Sequence, residues 1–529
     1  MRMERALLLR QIGEHPFITV RQLCRILDMS KSWVYGGLSE LEAEGLVGKV
    51  NPRHPGIRAC AFYYLTPDGE ARLSLPRRGG RPRFLERIAM VYEVRNLFIS
   101  AQRAGLPVSQ WQVLTPGIQG VSLHGAALTT GGRQLIVEWD RGERPLRLYR
   151  HRLRRLAAIA AETGAGLLLV AADEARGSAG LSILAGHLNL QGPHLALTTR
   201  TIIATQGIPA ATCYVPAIMD CISLGGFVET LPEPWGGELP VGQGVKSFTG
   251  QWQGMAQLVL ELLPLQKVLL SLLASLPLAE VKDLTILAGR RSEEWVRRAL
   301  TDLKRRGLAG DYVADPNLLE RYYFLTFTGL AFLAAACGAP ARAYARARGW
   351  AVRHGEISVS HLVRVFEHTQ EVREVALALA REAARHHQAI TWHDEREAYV
   401  YFALGGERRV LAPDARVHWG GRVLFVEIDR GSASSKRLSK KVEVYYDFHC
   451  CAEHRRFGER FRLLIVTPHP HRERQWLEQV SKSAAKSHVA PLDVLTTTQE
   501  AIRRRGIGAP IWRGVQDVTR RVRLLEGLG

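Results

Sequence analysis

Apolar side chains recur at helical spacing over Glu4–Ile12 and Val20–Leu27, which predicts two short amphipathic helices at the start of the chain. Ser30 is placed to cap a third helix, and the glycine of Glu44-Gly45-Leu46 to end it. An alternating apolar strand, Ala61–Leu65, then runs into Thr-Pro-Asp-Gly-Glu. The same order returns further along. Helices are predicted over Gln266–Ser275 and Glu280–Ala288, a third is capped by Ser292 and stops at Gly307, and a strand covers Tyr322–Phe327. Helix, helix, turn, helix and hairpin in that order describe a winged helix-turn-helix, whose third helix usually enters the major groove of DNA.

The recurrence is an internal duplication. Ser30, Trp33, Val34, Leu38, Leu41, Gly45 and Leu46 reappear as Ser292, Trp295, Val296, Leu300, Leu303, Gly307 and Leu308, all at an offset of 262. Farther on, LIVEWDRG (135–142) reappears as LFVEIDRG (424–431) at an offset of 289, each after a Gly-Gly-Arg turn. LALTT (195–199) is echoed by DVLTT (493–497). The Pro/Gly-rich stretch 231–244 separates the halves, and basic, broken segments (76–83 and 337–349) divide each half again.

Charge narrows the partner. Lys+Arg 71 against Asp+Glu 51 leaves +20, an excess that draws a protein to polyanions and, for this architecture, to double-stranded DNA. The third helix of the first half offers Lys31, Ser32 and Tyr35, followed by a Gly36-Gly37 pair. Such a pair costs about 1 kcal/mol per residue against Ala, so it implies close backbone approach or weakened helicity. The second half has the richer recognition helix, with Arg290, Arg291, Arg297, Arg298 and Lys304 placed to grip phosphate or read guanine. The seven cysteines show no metal-site spacing, and no apolar run is long enough to span a membrane. Together with the lack of an export signal, these features predict a cytoplasmic protein that does not engage membranes.

Candidate chemistry lies in residues 411–448. Glu427 and Asp429 are two residues apart on a strand, so they share a face, and a hairpin can bring Asp414 beside them. Three converging carboxylates make sense around a hard cation, Mg²⁺ or Mn²⁺, which can activate water and neutralise a phosphate. In the first half Gly125 stands where Asp414 does, while Glu138 and Asp140 persist. There Arg147, His151 and Arg152 replace Lys436, Lys440 and Lys441, so this copy reads as inactive, with Arg147 and Arg152 as phosphate contacts.

Pro413-Asp414, the strand into Glu427-Ile428-Asp429-Arg430-Gly431 and the Lys440/Lys441…Tyr445 helix resemble the PD-(D/E)xK nuclease superfamily, and within it the replication-relaxation family of plasmids and mobile elements. The resemblance implies a multidomain α+β and α/β protein with two restriction-endonuclease-like domains, each following a winged helix. Its divisions are 1–75 and 261–336 (winged helices), 84–230 and 350–515 (nuclease-like), 231–260 (linker) and 516–529 (basic tail). It also implies DNA processing or relaxation, with Asp414, Glu427 and Asp429 as metal ligands and Lys440 or Lys441 as charge stabiliser. The superfamily's lysine stands two residues after the acid, where this chain has Asp429. Replication or mobilisation proteins are the implied partners, with the chain a pseudo-two-fold monomer or a homodimer. The alternative is a non-catalytic DNA-binding regulator that uses the same folds for docking.

Overall fold

The computed structural model describes residues 3–55, 57, 59–75, 85–106, 108–113, 125–130, 133–185, 195–208, 210–218, 220–231, 251–289, 292–313, 321–353, 355–364, 366–388, 390–419, 422–431, 433–451 and 461–525. The chain forms two units: Met1–Arg144 with Leu148–Lys267 and Ala334–Pro340, and Pro145–Arg147 with Val268–Leu333 and Ala341–Gly529. Both are mixed α/β structures. The 76–83 connection, both Gly-Gly turns, Arg290, Arg291 and residues 232–250 lie outside the described residues.

Three helices open each unit: Met3–Glu14, Val20–Leu27 and Lys31–Ala43 in the first, Pro264–Ser275, Val281–Leu287 and Glu293–Arg305 in the second. In the first, Leu8, Leu9, Ile12, Leu23, Val34, Leu38 and Leu41 close into one core, the predicted apolar face. Gly37 answers part of the glycine question, since a Cβ there would lie 2.3 Å from Leu8 Cδ1, whereas Gly36 meets nothing. Ser30 caps the third helix by accepting from Trp33 N–H at 3.3 Å. Ser292 holds the matching position but makes no side-chain cap, so the expectation of a second serine cap is corrected.

The two hairpins are closed by one device. Thr66 donates its hydroxyl to Gly45 O at 2.6 Å, and Thr326 donates to Gly307 O at 2.6 Å. Three residues later Gly69 and Gly329 each pass so close to a carbonyl (Leu46 O, Leu308 O) that a Cβ would lie 2.1 Å from it. Any side chain would push the following helix off the hairpin, which explains the repeated Thr-x-x-Gly.

Behind each bundle lies a sheet. In sheet order the first has Val108–Val113, Gly125–Thr130, Arg133–Trp139, Gly166–Ala171, Leu195–Thr199, Thr212–Val215 and Asp220–Ser223. The second has Ile390–Asp394, Ala415–Trp419, Arg422–Ile428, Phe461–Thr467, Val494–Thr498 and Arg513–Gly514. Each begins with three antiparallel strands, of which the third starts a run of three parallel strands joined by helical crossovers, and ends antiparallel. Strand alternation sorts the second core into two layers. Val423 and Phe425 pack under the helices Ser435–Cys450 and Pro470–Ser487, while Leu424 and Val426 pack against the long helix Phe366–Arg385 and Trp512.

Two segments differ from expectation. The range read as linker contains a helix, Gln251–Glu261, which buries Val259. The basic C-terminal run that begins at Ala501, whose sequence reads as one helix, is not one. Gln499–Arg505 is helical, then the chain turns at Gly506 and returns as an edge strand with Trp512 and Leu524 fully buried. Its arginines have buried work as well: Arg521 donates to Glu473 at 2.8 and 3.1 Å.

A buried arginine ties each bundle to its long helix. Arg95, fully buried on Ile88–Arg103, donates to Phe17 O at 2.6 Å and Pro16 O at 2.7 Å. Phe17 sits in the left-handed region at φ 61°. In the second unit Arg373 donates to Leu278 O, and Leu278 has φ 59°. Burial pulls the Arg95 guanidinium down to about 9, so it stays charged at neutral pH. Arg95→Met leaves two carbonyls without a donor and should cost about 2–4 kcal/mol. Urea unfolding followed by circular dichroism checks this, and a loss below about 0.5 kcal/mol would contradict the assigned role.

Candidate functional site

Glu427 continues the row of Val423 and Phe425, so its side chain enters the apolar layer beneath the helix Ser435–Cys450 and is fully buried. Two groups of that helix meet it. Lys441 Nζ donates to one carboxylate oxygen, and Tyr445 Oη donates to the other at 2.6 Å. Asp414 immediately precedes the neighbouring strand, and its Oδ2 accepts from Ile428 N–H at 2.7 Å. Asp414, Glu427 and Lys441 are therefore brought together, as the sequence predicted.

Burial pushes the Glu427 carboxyl up to about 8, with Lys441 pulling it down and Asp414 adding to the rise. Lys441 is half-buried at 39% side-chain exposure. Burial lowers its ammonium, but Glu427 and Asp414 outweigh that, so its pKa rises and it stays protonated.

Asp429 shares the face but not the cluster. Its carboxylate accepts from Arg472 Nε at 2.5 Å, Trp476 Nε1 at 2.6 Å and Gly431 N–H at 2.8 Å. Burial raises its pKa, yet these hydrogen bonds prevail and hold it below the usual carboxylate value. The expectation that Asp429 joins the other two carboxylates is thus corrected: it braces the strand end against the next crossover helix. Lys440, adjacent to Lys441, is exposed and does not reach Glu427. Helical rotation of about 100° per residue explains why only one of the pair points inward.

The first unit repeats this frame with altered chemistry. Gly125 pairs with Glu138 in the register that sets Asp414 opposite Glu427, so the aspartate is absent there. Arg152, fourteen residues after Glu138 as Lys441 is after Glu427, grips it through both oxygens at 2.5 and 2.6 Å. Asp140 is held by Arg176 at 2.8 and 3.1 Å, the counterpart of Asp429 with Arg472. Arg176 also donates to Arg144 O at 3.0 Å, and Arg472 to Ala433 O at 2.8 Å. Arg152 is only 7% exposed, so it is withdrawn from the phosphate-contact role, while Arg147 is exposed.

The DNA-facing candidates on the third helices also separate. Lys31, Ser32 and Tyr35 are exposed on a helix with no acid in its first turn. Arg297 and Arg298 are exposed too, but they lie against Glu294 at 3.0 and 2.8 Å, and Lys304 lies against Asp311 at 2.6 Å. Arg297 and Arg298 thus stay on the exposed face of their helix, paired within it.

The model of the family described as replication-relaxation matches residues 9–165 and 273–458. The chain belongs to the replication-relaxation family. Both matches run from the opening bundle through the long helix and the strand bearing Glu138 or Glu427, so the family unit occurs twice. Membership supports a role in replication and relaxation broadly, with DNA and replication-related interactions. No curated protein matches the chain. Among solved structures it is similar to the crystal structure of protein VC1899 from Vibrio cholerae at 11% identity, over 68% of this chain and 78% of that one, with a TM-score of 0.18. That score is too low for a shared fold to follow. Among the described residues of this family member, no helix is long and apolar enough to cross a membrane.

The buried carboxyl yields a pH prediction. Glu427 is raised from 4.5 in the unfolded chain to about 8 when folded. Between those values the folded chain keeps a proton that the unfolded chain has lost, so stability falls as pH rises. Glu427→Gln carries no such proton. Melting temperature plotted from about pH 5 to 8 should therefore fall less steeply in this variant than in the wild type; equal slopes would contradict the assigned burial.

Proposed function

We propose that this chain is a double-stranded DNA-binding protein whose second unit is a metal-dependent nickase acting in replication or DNA relaxation. The supporting observation is the difference between two copies of one frame: only the second combines Asp414, Glu427 and an inward-pointing lysine. The bundles, each a trio of helices followed by a hairpin, suit winged helix-turn-helix domains, and the three-layered sheets suit a nuclease-like fold. Family membership supports a role in replication and relaxation broadly.

The donor set fits a divalent cation. Asp414 and Glu427 are hard oxygen donors from adjacent strands, and Asp414 is already oriented by Ile428 N–H. Mg²⁺ or Mn²⁺ held there would supply water activation and neutralisation of a scissile phosphate. The protein's share is positional. Tyr445 fixes one oxygen of Glu427, and Lys441 sets a positive charge at the mouth of the site where phosphate charge develops. Lys31, Ser32, Tyr35 and Arg147 contact the duplex backbone. One active copy per chain cuts one strand.

A non-catalytic docking reading is favoured by one feature: Lys441 already satisfies Glu427 internally. Supercoiled plasmid separates the two. With Mn²⁺ or Mg²⁺ the wild type should produce open circles, with Asp414→Ala and Lys441→Met slowed by about 100-fold or more. Gel shifts by both variants should remain near wild type. Intact plasmid with a retained gel shift would overturn the nickase in favour of docking.

Lys31→Ala should weaken binding to unrelated duplexes alike and reduce the slope of log K on log salt by about 1. An unchanged slope would remove this helix from the interface.

A further inference from the structure

The third helices of the two bundles differ in their first two turns. At the offset of 262 that aligns them, Lys31 and Ser32 stand where the second unit has Glu293 and Glu294. Tyr35 and Gly36 stand where it has Arg297 and Arg298. The buried faces do not change: Val34, Leu38 and Leu41 match Val296, Leu300 and Leu303. At these positions acid and arginine therefore occur together in one copy and are absent together from the other.

That pattern does not suit a simple phosphate grip. Two carboxylates in the first turn repel the DNA backbone and cancel much of what the arginines attract. Exposed pairs of this kind also add little to helix stability. They do fix geometry. Arg298 Nε donates to Glu294 Oε1 at 2.8 Å, and Arg297 Nη1 donates to Oε2 at 3.0 Å. These bonds, that from Arg298 foremost, hold the Glu294 carboxyl below its usual value, so it is ionised at neutral pH. Arg297 also lies 3.7 Å from Glu293 through Nη2, so both ends of its fork face acids. Arg298 is different. It is held at Nε alone, its side chain is 74% exposed, and among the described residues its two terminal nitrogens meet no acceptor. A guanidinium anchored at Nε with both Nη groups presented outward matches guanine O6 and N7. Orienting it beforehand removes part of the ordering cost of binding.

We propose that Arg298 reads a guanine in the major groove and that Glu294 is its positioning residue, so that the second bundle supplies sequence preference while the first, through Lys31, supplies grip. This rests on the DNA-binding reading above. The glutamate serves twice, because its charge also weakens attachment to duplexes that lack the guanine.

Selection from a duplex library with a randomised core tests this, using the full chain in EDTA so that cutting plays no part. Wild type should enrich sites with a fixed guanine, and adenine in its place should weaken binding by about tenfold or more. Arg298→Lys keeps the charge but not the fork. It should lose that discrimination while the slope of log K on log salt stays unchanged. Glu294→Ala should lose most of the discrimination too, yet bind unrelated duplexes more tightly than wild type. Both side chains are exposed, so neither substitution disturbs the core. A wild type that binds duplex DNA but selects no guanine, or a guanine preference that survives Arg298→Lys, overturns the proposal and leaves DNA binding standing. Discrimination that survives Glu294→Ala removes the glutamate from this role. If wild type retains no duplex at all, the DNA-binding reading falls with the proposal.

Discussion

Burying a carboxylate at the end of a central strand commits a chain to placing a cation beside it, since an isolated ionised acid in an apolar layer is far too costly. Both units accept this commitment, at Glu138 and at Glu427, and they discharge it differently. Arginine's planar fork takes both oxygens of Glu138 and leaves that carboxylate no capacity for anything else. Lysine is a point donor, and at Glu427 it takes one oxygen while a tyrosine takes the other. The lysine also remains half-exposed, whereas Arg152 is buried. The first unit's version is a closed structural pair. Which cation sits fourteen residues downstream thus determines whether the buried acid is closed on both oxygens by one partner or shared between two.

The bundles depend on that frame through Arg95 and Arg373. Each arginine reaches back from the long helix to a carbonyl at a left-handed residue just before the second helix of its bundle. In the second unit Arg373 also meets Asp283 at 3.0 Å, while in the first Gln22 donates to Tyr92 O at 3.2 Å and Asn96 Oδ1 at 3.0 Å. Within each unit the bundle and the long helix are joined by buried polar contacts, which fix orientation more strictly than apolar packing does.

Much of this was legible in the chain. Helical periodicity located the opening helices to within a few residues, and the repeated Asp-Arg-Gly and offset of 262 exposed the duplication. The register of Gly125 against Glu138 bears out the missing aspartate. Other features depended on distant partners. Asp429 reads like a ligand until Arg472 and Trp476, more than forty residues away, are seen to occupy it. Nor did the sequence show that Arg297 and Arg298 pair with Glu294 on the same helix. The C-terminal arginines mimic a solvated helix although Arg521 neutralises a buried glutamate.

Covalent fusion of the two copies gives the divergence a particular meaning. In a dimer assembled from identical chains, any substitution appears on both sides at once, and one half cannot specialise without the other. Here the halves are synthesised in a fixed one-to-one ratio and cannot reassort, so a change such as Gly125 is confined to its own side for good. The protein consequently has a built-in asymmetry: one chain carries two copies of one frame whose side chains can never be made alike by assembly.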